Sequence, residues 1–132
     1  LKSKVKSQKL EDKVFLIGQV VHDKVLEYFK AGDIFVLNTG YEGFSHFLLE
    51  AMAMEIPIIT TNVGGNPELI NDKVNGILLV YNDKENFIAQ ICSLPKDEKI
   101  RNALVDKAKN KIKNFNRENM IRQLFSVLQS IL

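Results

Sequence analysis

The sequence predicts an α/β domain: a Rossmann-like parallel sheet with flanking helices, ending in C-terminal helices. Three observations predict it. Short apolar runs alternate with longer amphipathic segments as far as Val80, the pattern of βα units. The apolar runs are continuous rather than alternating, as in "DIFVLN" and "PIITT", which is how strands buried on both faces read. From Asp83 onward only helical patterns follow.

Taken in order, "KVFLIG" (Lys13 to Gly18) is expected as the first strand, and "DKVLEYFKAG" as a helix. In that helix Asp23 is the expected N-cap, Val25, Leu26 and Phe29 share one face, and Gly32 stands just past the end. "DIFVLN" (Asp33 to Asn38) and "PIITT" (Pro57 to Thr61) are the next strands, joined by a helix from near Phe44 to about Met54. In "NVGGNPELI", Asn66 can cap a short helix with Pro67 at its first position, where a missing N–H costs nothing. A turn at Asn75 and Gly76 leads into a strand from Ile77 to Val80. That makes a sheet of about four strands. Helix starts follow at Asp83, at Pro95 and near Asn116.

At 132 residues the chain is one domain by length, residues 1–132. It opens on Leu1 rather than methionine, so it is expected to be part of a longer protein. A balance of 18 basic against 16 acidic side chains gives no reason to expect nucleic acid or membrane as a partner. The lysines at 2, 4, 6 and 9 read as a solvated helix face. The single cysteine, Cys92, follows Phe87, Ile88 and Ile91 in a helical pattern and reads as a small buried hydrophobe. A reducing cytoplasm fits, and no apolar run approaches the roughly 20 residues that span a bilayer.

The stretch "GYEGFSHFLLEAMAM", Gly40 to Met54, carries the chemistry. It follows a strand's carboxyl end and opens a helix, the place in α/β sheets where free N–H groups and the helix dipole face a crevice. Gly40 and Gly43 let backbone approach a ligand, and the amides near Phe44, Ser45 and His46 are first-turn donors suited to a phosphate. An ionised carboxylate accepts both hydroxyl protons of a vicinal diol, as on a ribose or a hexose. Glu42 lies in the loop, and Glu50 is expected roughly 8 to 10 Å deeper than the helix mouth. From the local pattern alone, Glu42 reads equally well as a loop carboxylate favoured by the dipole. Glu50 reads as a solvent-facing helix residue, His22 as surface, Glu68 as a dipole partner. Gly64 and Gly65 either make a tight turn or permit close approach of a ligand.

"EGFSHFLLE" followed by "AMAMEIPIITTNVGGNPELI" resembles the donor-binding half of GT-B glycosyltransferases. The resemblance is to the large retaining group 1 family, marked by two glutamates with seven residues between them, as Glu42 and Glu50 have. It extends over nearly the whole chain, with "FLIGQV", "YFKAGDIFVLNT", "VGGNPELI" and "NGILLV" in the family's order. It implies the C-terminal half of a GT-B fold, beginning after the family's first βα unit and its basic pair.

The resemblance implies that Glu42 holds hydroxyls of the donor sugar, making it the candidate catalytic residue, and that Glu50 binds the nucleotide ribose. Gly43, Phe44, Ser45 and His46 then lie along phosphate and sugar, Thr39 lines the same crevice, and Val20 meets the nucleobase through its main chain. Ser45 stands where the family usually has glycine, and His46 where it usually has an aliphatic residue. A ligand-facing or exposed imidazole is the reading for His46, ahead of a general base. The implied donor is a UDP- or GDP-sugar, with no metal. The implied acceptor is a glycan or lipid-linked glycan, held by an amino-terminal domain outside this chain. The implied parent is a cytoplasmic hexosyltransferase of glycan biosynthesis, possible at the inner membrane face as a peripheral protein, and the fragment alone is expected to be inactive. Two other classes stay open. Retaining glycoside hydrolases hold their carboxylates about 5 to 5.5 Å apart, which an extended helix-mouth arrangement fits poorly. A non-catalytic nucleotide-binding or interaction module on the same fold is the second.

Overall fold

A computed structural model describes residues 1–113, 115 and 129. After a short exposed helix α1 (Lys2–Ser7), the order is α2 (His22–Ala31), β1 (Phe35–Leu37), α3 (His46–Ala53) and β2 (Ile58–Thr61). There follow α4 (Asn66–Leu69), β3 (Ile77–Leu79), α5 (Lys84–Ser93), a 3₁₀ turn (Leu94–Lys96) and α6 (Glu98–Ile112). The helix expected near Asn116 lies outside the described residues.

The sheet is parallel, in the order β1-β2-β3, with Phe35 opposite Ile58 and Ile59 opposite Ile77. All four residues of β2 are buried, as the centre of a sheet covered on both faces requires. Successive side chains point to opposite faces, and the core divides accordingly. Ile58, with Phe35, Leu37 and Leu78, packs under Leu48, Ala51 and Met52 of α3 and Leu69 of α4. Ile59, with Val36, Ile77 and Leu79, packs against Phe87 of α5, Leu94 and Leu104. Helix α6 gives Leu104 to one layer and Ala108 to the other. Its residues Arg101 and Val105 share a cleft with Gly32 and Pro57, just ahead of β1 and β2, so it lies across the sheet's amino end. This leaves the carboxyl ends of the strands for other use.

Five expectations are corrected. Lys13 to Gly18 is not a strand: its ordered backbone bonds are turn bonds, Lys13 and Val14 N–H to Leu10 O, and the sheet among the described residues has three strands. A run becomes a strand only by pairing, and β1 pairs on one side only, with β2; Phe15 is 73% exposed. Asp23 does not cap α2, which begins two residues earlier, at His22, with Val21 at the N-cap. Asn66 does not cap α4, whose N-cap is Gly65; its buried amide instead donates to Thr60 Oγ1 and Thr61 O. Cys92 is exposed, because α5 turns Phe87 to the sheet and a residue five positions on is rotated about 140° away. The start placed at Pro95 is the 3₁₀ turn, and the cap of α6 is Asp97, whose carboxylate accepts from Ile100 N–H. Asp83 caps α5 as expected, accepting from Asn86 N–H. No helix among the described residues is long and apolar enough to cross a membrane.

Candidate functional site

The candidate residues Thr39 to Ser45 form the loop between β1 and α3, at the carboxyl end of the sheet. Hydroxyl groups rather than ladder bonds hold its first half. Thr60 Oγ1 donates to Leu37 O at 3.1 Å and Thr61 Oγ1 to Thr39 O at 2.7 Å, which extends the β1–β2 connection past the last strand residue. Thr39 Oγ1 donates to Tyr41 O at 2.7 Å and accepts from Tyr41 N–H at 3.4 Å, folding the chain back on itself.

The second half is clamped by the β2–α4 turn. Gly65 N–H is shared between Glu42 O at 3.2 Å and Gly43 O at 3.1 Å. Gly64 has φ +51, in the left-handed region, and a Cβ on it would stand 1.7 Å from Glu42 O; on Gly65 a Cβ would stand 2.4 Å from Gly43 O. The two glycines therefore make a tight turn against the chain's own loop, whose backbone is the close neighbour. Gly43 has nothing within 4 Å of its Cβ position and so presents open backbone. Gly40 does not: the Tyr81 ring, following β3, fills that side at 2.8 Å from where a Cβ would be. Gly40 thus faces the Tyr81 ring, not open space.

Helix α3 starts at His46, not near Phe44, with Ser45 at the N-cap and no side chain capping the first turn. Ser45 is 2% exposed and its Oγ finds no hydrogen-bond partner. The first-turn amides of an eight-residue helix thus open toward the loop without a side-chain acceptor. His46 is exposed at the first position and Glu42 is half-buried in the loop. With the later start, Glu50 lies about 6 Å along the axis from His46, less than the spacing expected.

Glu50 is half-buried, and its Oε2 is buried with no hydrogen-bond partner. Its Oε1 lies 3.7 Å from Nε2 of His22, the first residue of α2. Val20, half-buried, is two residues before His22, so its Cα lies within about 7 Å of that of His22. Phe44 meets Phe115 with ring centroids 5.9 Å apart. The structure thus brings Thr39, Glu42, Gly43, Phe44, Ser45 and His46 to one loop and helix mouth, with Glu50 further along α3 and Val20 two residues ahead of the His22 that meets it. Among the described residues no group of three His, Cys, Asp or Glu is placed to hold a metal. The residues that sequence reasoning did not assign are Thr60, Thr61, Tyr81 and His22. The adjacent threonines closing a strand were the only signal for the first two.

The profile of the family described as "Glycosyl transferases group 1" matches residues 1–111. The N-acetyl-alpha-D-glucosaminyl L-malate synthase of Bacillus anthracis is 32% identical over 129 residues, 97% of this chain and 33% of that protein. An Escherichia coli protein, UDP-Gal:alpha-D-GlcNAc-diphosphoundecaprenol alpha-1,3-galactosyltransferase, is 32% identical over 105 residues, 80% of this chain and 26% of its own length. Among solved structures, the C-terminal domain of a glycosyl transferase group 1 family protein from Francisella tularensis aligns with a TM-score of 0.76 at 28% identity. That alignment covers 86% of this chain and 58% of that one. The chain spans a quarter to a third of the length of these two curated relatives.

Proposed function

The chain belongs to the glycosyl transferases group 1 family, and from that premise we propose that residues 1–132 are the donor-binding domain of a retaining hexosyltransferase using a UDP- or GDP-sugar. One observation carries the reading: the Glu42–Gly43 loop is clamped beside an uncapped helix mouth, with Glu50 about one turn into α3 and His22 beside it. A diphosphate at the first-turn amides of α3 gains the helix dipole. The ribose then reaches Glu50, the base passes the main chain at Val20, and the sugar's hydroxyls meet Glu42. Thr39, Gly43, Phe44, Ser45 and His46 line the path between. No metal is invoked; the amides take the charge that develops on the departing diphosphate.

The acceptor in this reading is a glycan or lipid-linked glycan held outside residues 1–132, so this stretch binds donor without transferring it. The galactosyltransferase relative supports the pairing by its name, which has UDP-Gal as donor and a diphosphoundecaprenol-linked sugar as acceptor. The roles of the two glutamates are separable. Glu50→Ala should weaken UDP or GDP itself about 10-fold or more, whereas Glu42→Ala should weaken the nucleotide sugar and leave the bare nucleotide within about 2-fold. Calorimetric titration of both variants with UDP, GDP and the corresponding UDP- and GDP-hexoses reads this directly. Equal losses for both ligand types in both variants would refute the division of roles.

A further inference from the structure

We propose that His22 is the positioning residue for Glu50, so that binding of the nucleotide ribose depends on a side chain outside the glutamate pair. The inference rests on the reading of Glu50 as the ribose carboxylate.

Nothing in α2 itself calls for histidine at this place. His22 is the first helical residue, not the N-cap, and its side chain is 61% exposed. A cation there opposes the helix dipole. What the residue does have is a neighbour on another helix: Nε2 stands 3.7 Å from Glu50 Oε1. That is ion-pair range but longer than a hydrogen bond, and a shift of about 0.7 Å brings the two to bonding distance.

Glu50 needs such a donor. Its Oε2 is buried and accepts no hydrogen bond, so the partner that orients the carboxylate is at Oε1. Holding a ribose hydroxyl requires a carboxylate fixed in rotation, with a lone pair free on the oxygen a ligand can reach. An imidazole N–H on Oε1 fixes the rotation and uses one of the two lone pairs there. The other remains for a ribose hydroxyl, while the buried Oε2 is closed to a ligand. Val20 and His22 then work from one short stretch of chain, the first beside the base and the second through Glu50 on the ribose.

The test is calorimetric titration with UDP and GDP of the wild-type chain, His22→Ala, His22→Gln, Glu50→Gln and the double variant His22→Ala/Glu50→Gln, with a melting curve for each. His22→Ala is expected to weaken the nucleotide about 3- to 10-fold with its melting temperature unchanged. His22→Gln, whose amide can donate at similar reach, should recover to within about 2-fold. In the double variant the loss should not exceed that of Glu50→Gln alone, since the two act as one unit. If Glu50→Gln loses binding while His22→Ala binds like wild type, or if the losses simply add, this inference fails and the donor site stands. If the wild-type chain binds neither nucleotide, the donor-site reading fails and takes the inference with it.

Discussion

Replacing Gly65 by alanine isolates the clamp on the Glu42 loop. The backbone at Gly65 has φ −80 and ψ −3, which alanine adopts without strain, so the whole effect comes from the added methyl. That methyl would stand 2.4 Å from Gly43 O and 3.0 Å from Gly43 C, where ordinary contact begins at 3.4 Å. The loop must retreat by the difference, about 1 Å, because both contacts are to backbone and no rotamer can absorb the clash. Retreat weakens the shared bond from Gly65 N–H to Glu42 O and Gly43 O, at 3.2 and 3.1 Å. A lost buried hydrogen bond with local strain costs about 1 to 3 kcal/mol of stability. A displacement of about 1 Å at a positioning residue costs on the order of 100-fold in function. The assay pairs melting curves with calorimetric titration by UDP-hexose and GDP-hexose. Gly43→Ala is the control for stability, since its methyl enters open space. Gly65→Ala is expected to melt lower than Gly43→Ala and to lose the affinity that the attached hexose adds over bare nucleotide. A Gly65→Ala chain that melts and binds like wild type would refute the argument that this contact positions Glu42.

Thr61→Val keeps the shape of a buried β2 residue but removes the donor to Thr39 O; a stability loss of about 1 to 2 kcal/mol is expected by chemical denaturation, and no change would mean that the loop does not depend on this bond. Leu48→Ala, at a fully buried position of α3, should cost about 2 to 5 kcal/mol in the same measurement, and a loss under about 1 kcal/mol would contradict the packing of α3 on the sheet. Asp83 has its pKa held below the ordinary carboxylate value by bonds from the Asn86 side chain and backbone N–H. A lowered folded pKa stabilises the fold above the unfolded value and is lost as pH falls through the folded one. Melting curves from neutral to acid pH should therefore show Asp83→Asn less acid-sensitive than wild type, and identical pH profiles would remove Asp83 from the account.

The legible parts of the fold were those where one local signal sufficed. "PIITT" announced a buried strand, "DIFVLN" a strand that the structure leaves half-buried beside β2, and the spacing of Val25, Leu26 and Phe29 placed the inner face of α2, of which Phe29 is buried. "KVFLIG" carries the same local signal and forms no strand, because pairing is decided by neighbours that a single run does not encode. Cys92 failed for a related reason. Phe87, Ile88, Ile91 and Cys92 cannot all face one sheet from one helix, and only Phe87 is buried. At the candidate site the spacing of Glu42 and Glu50 pointed to the loop before α3 and the helix itself. The clamp by Gly64 and Gly65, the Tyr81 ring on Gly40 and the approach of His22 to Glu50 are tertiary contacts, and none has a periodicity to betray it.

The central claim, that this domain binds a nucleotide-sugar donor at the mouth of α3, is tested most directly by following backbone amide shifts during titration with UDP, GDP, UDP-hexose and GDP-hexose. The account predicts shifts confined to Gly40 through Glu50 and to the stretch around Val20 and His22, with the hexose adding changes at Glu42 and Gly43 beyond those of the bare nucleotide. Silence with every ligand, or shifts at the amino end of the sheet around Asp33, Pro57 and Arg101 instead, would contradict it.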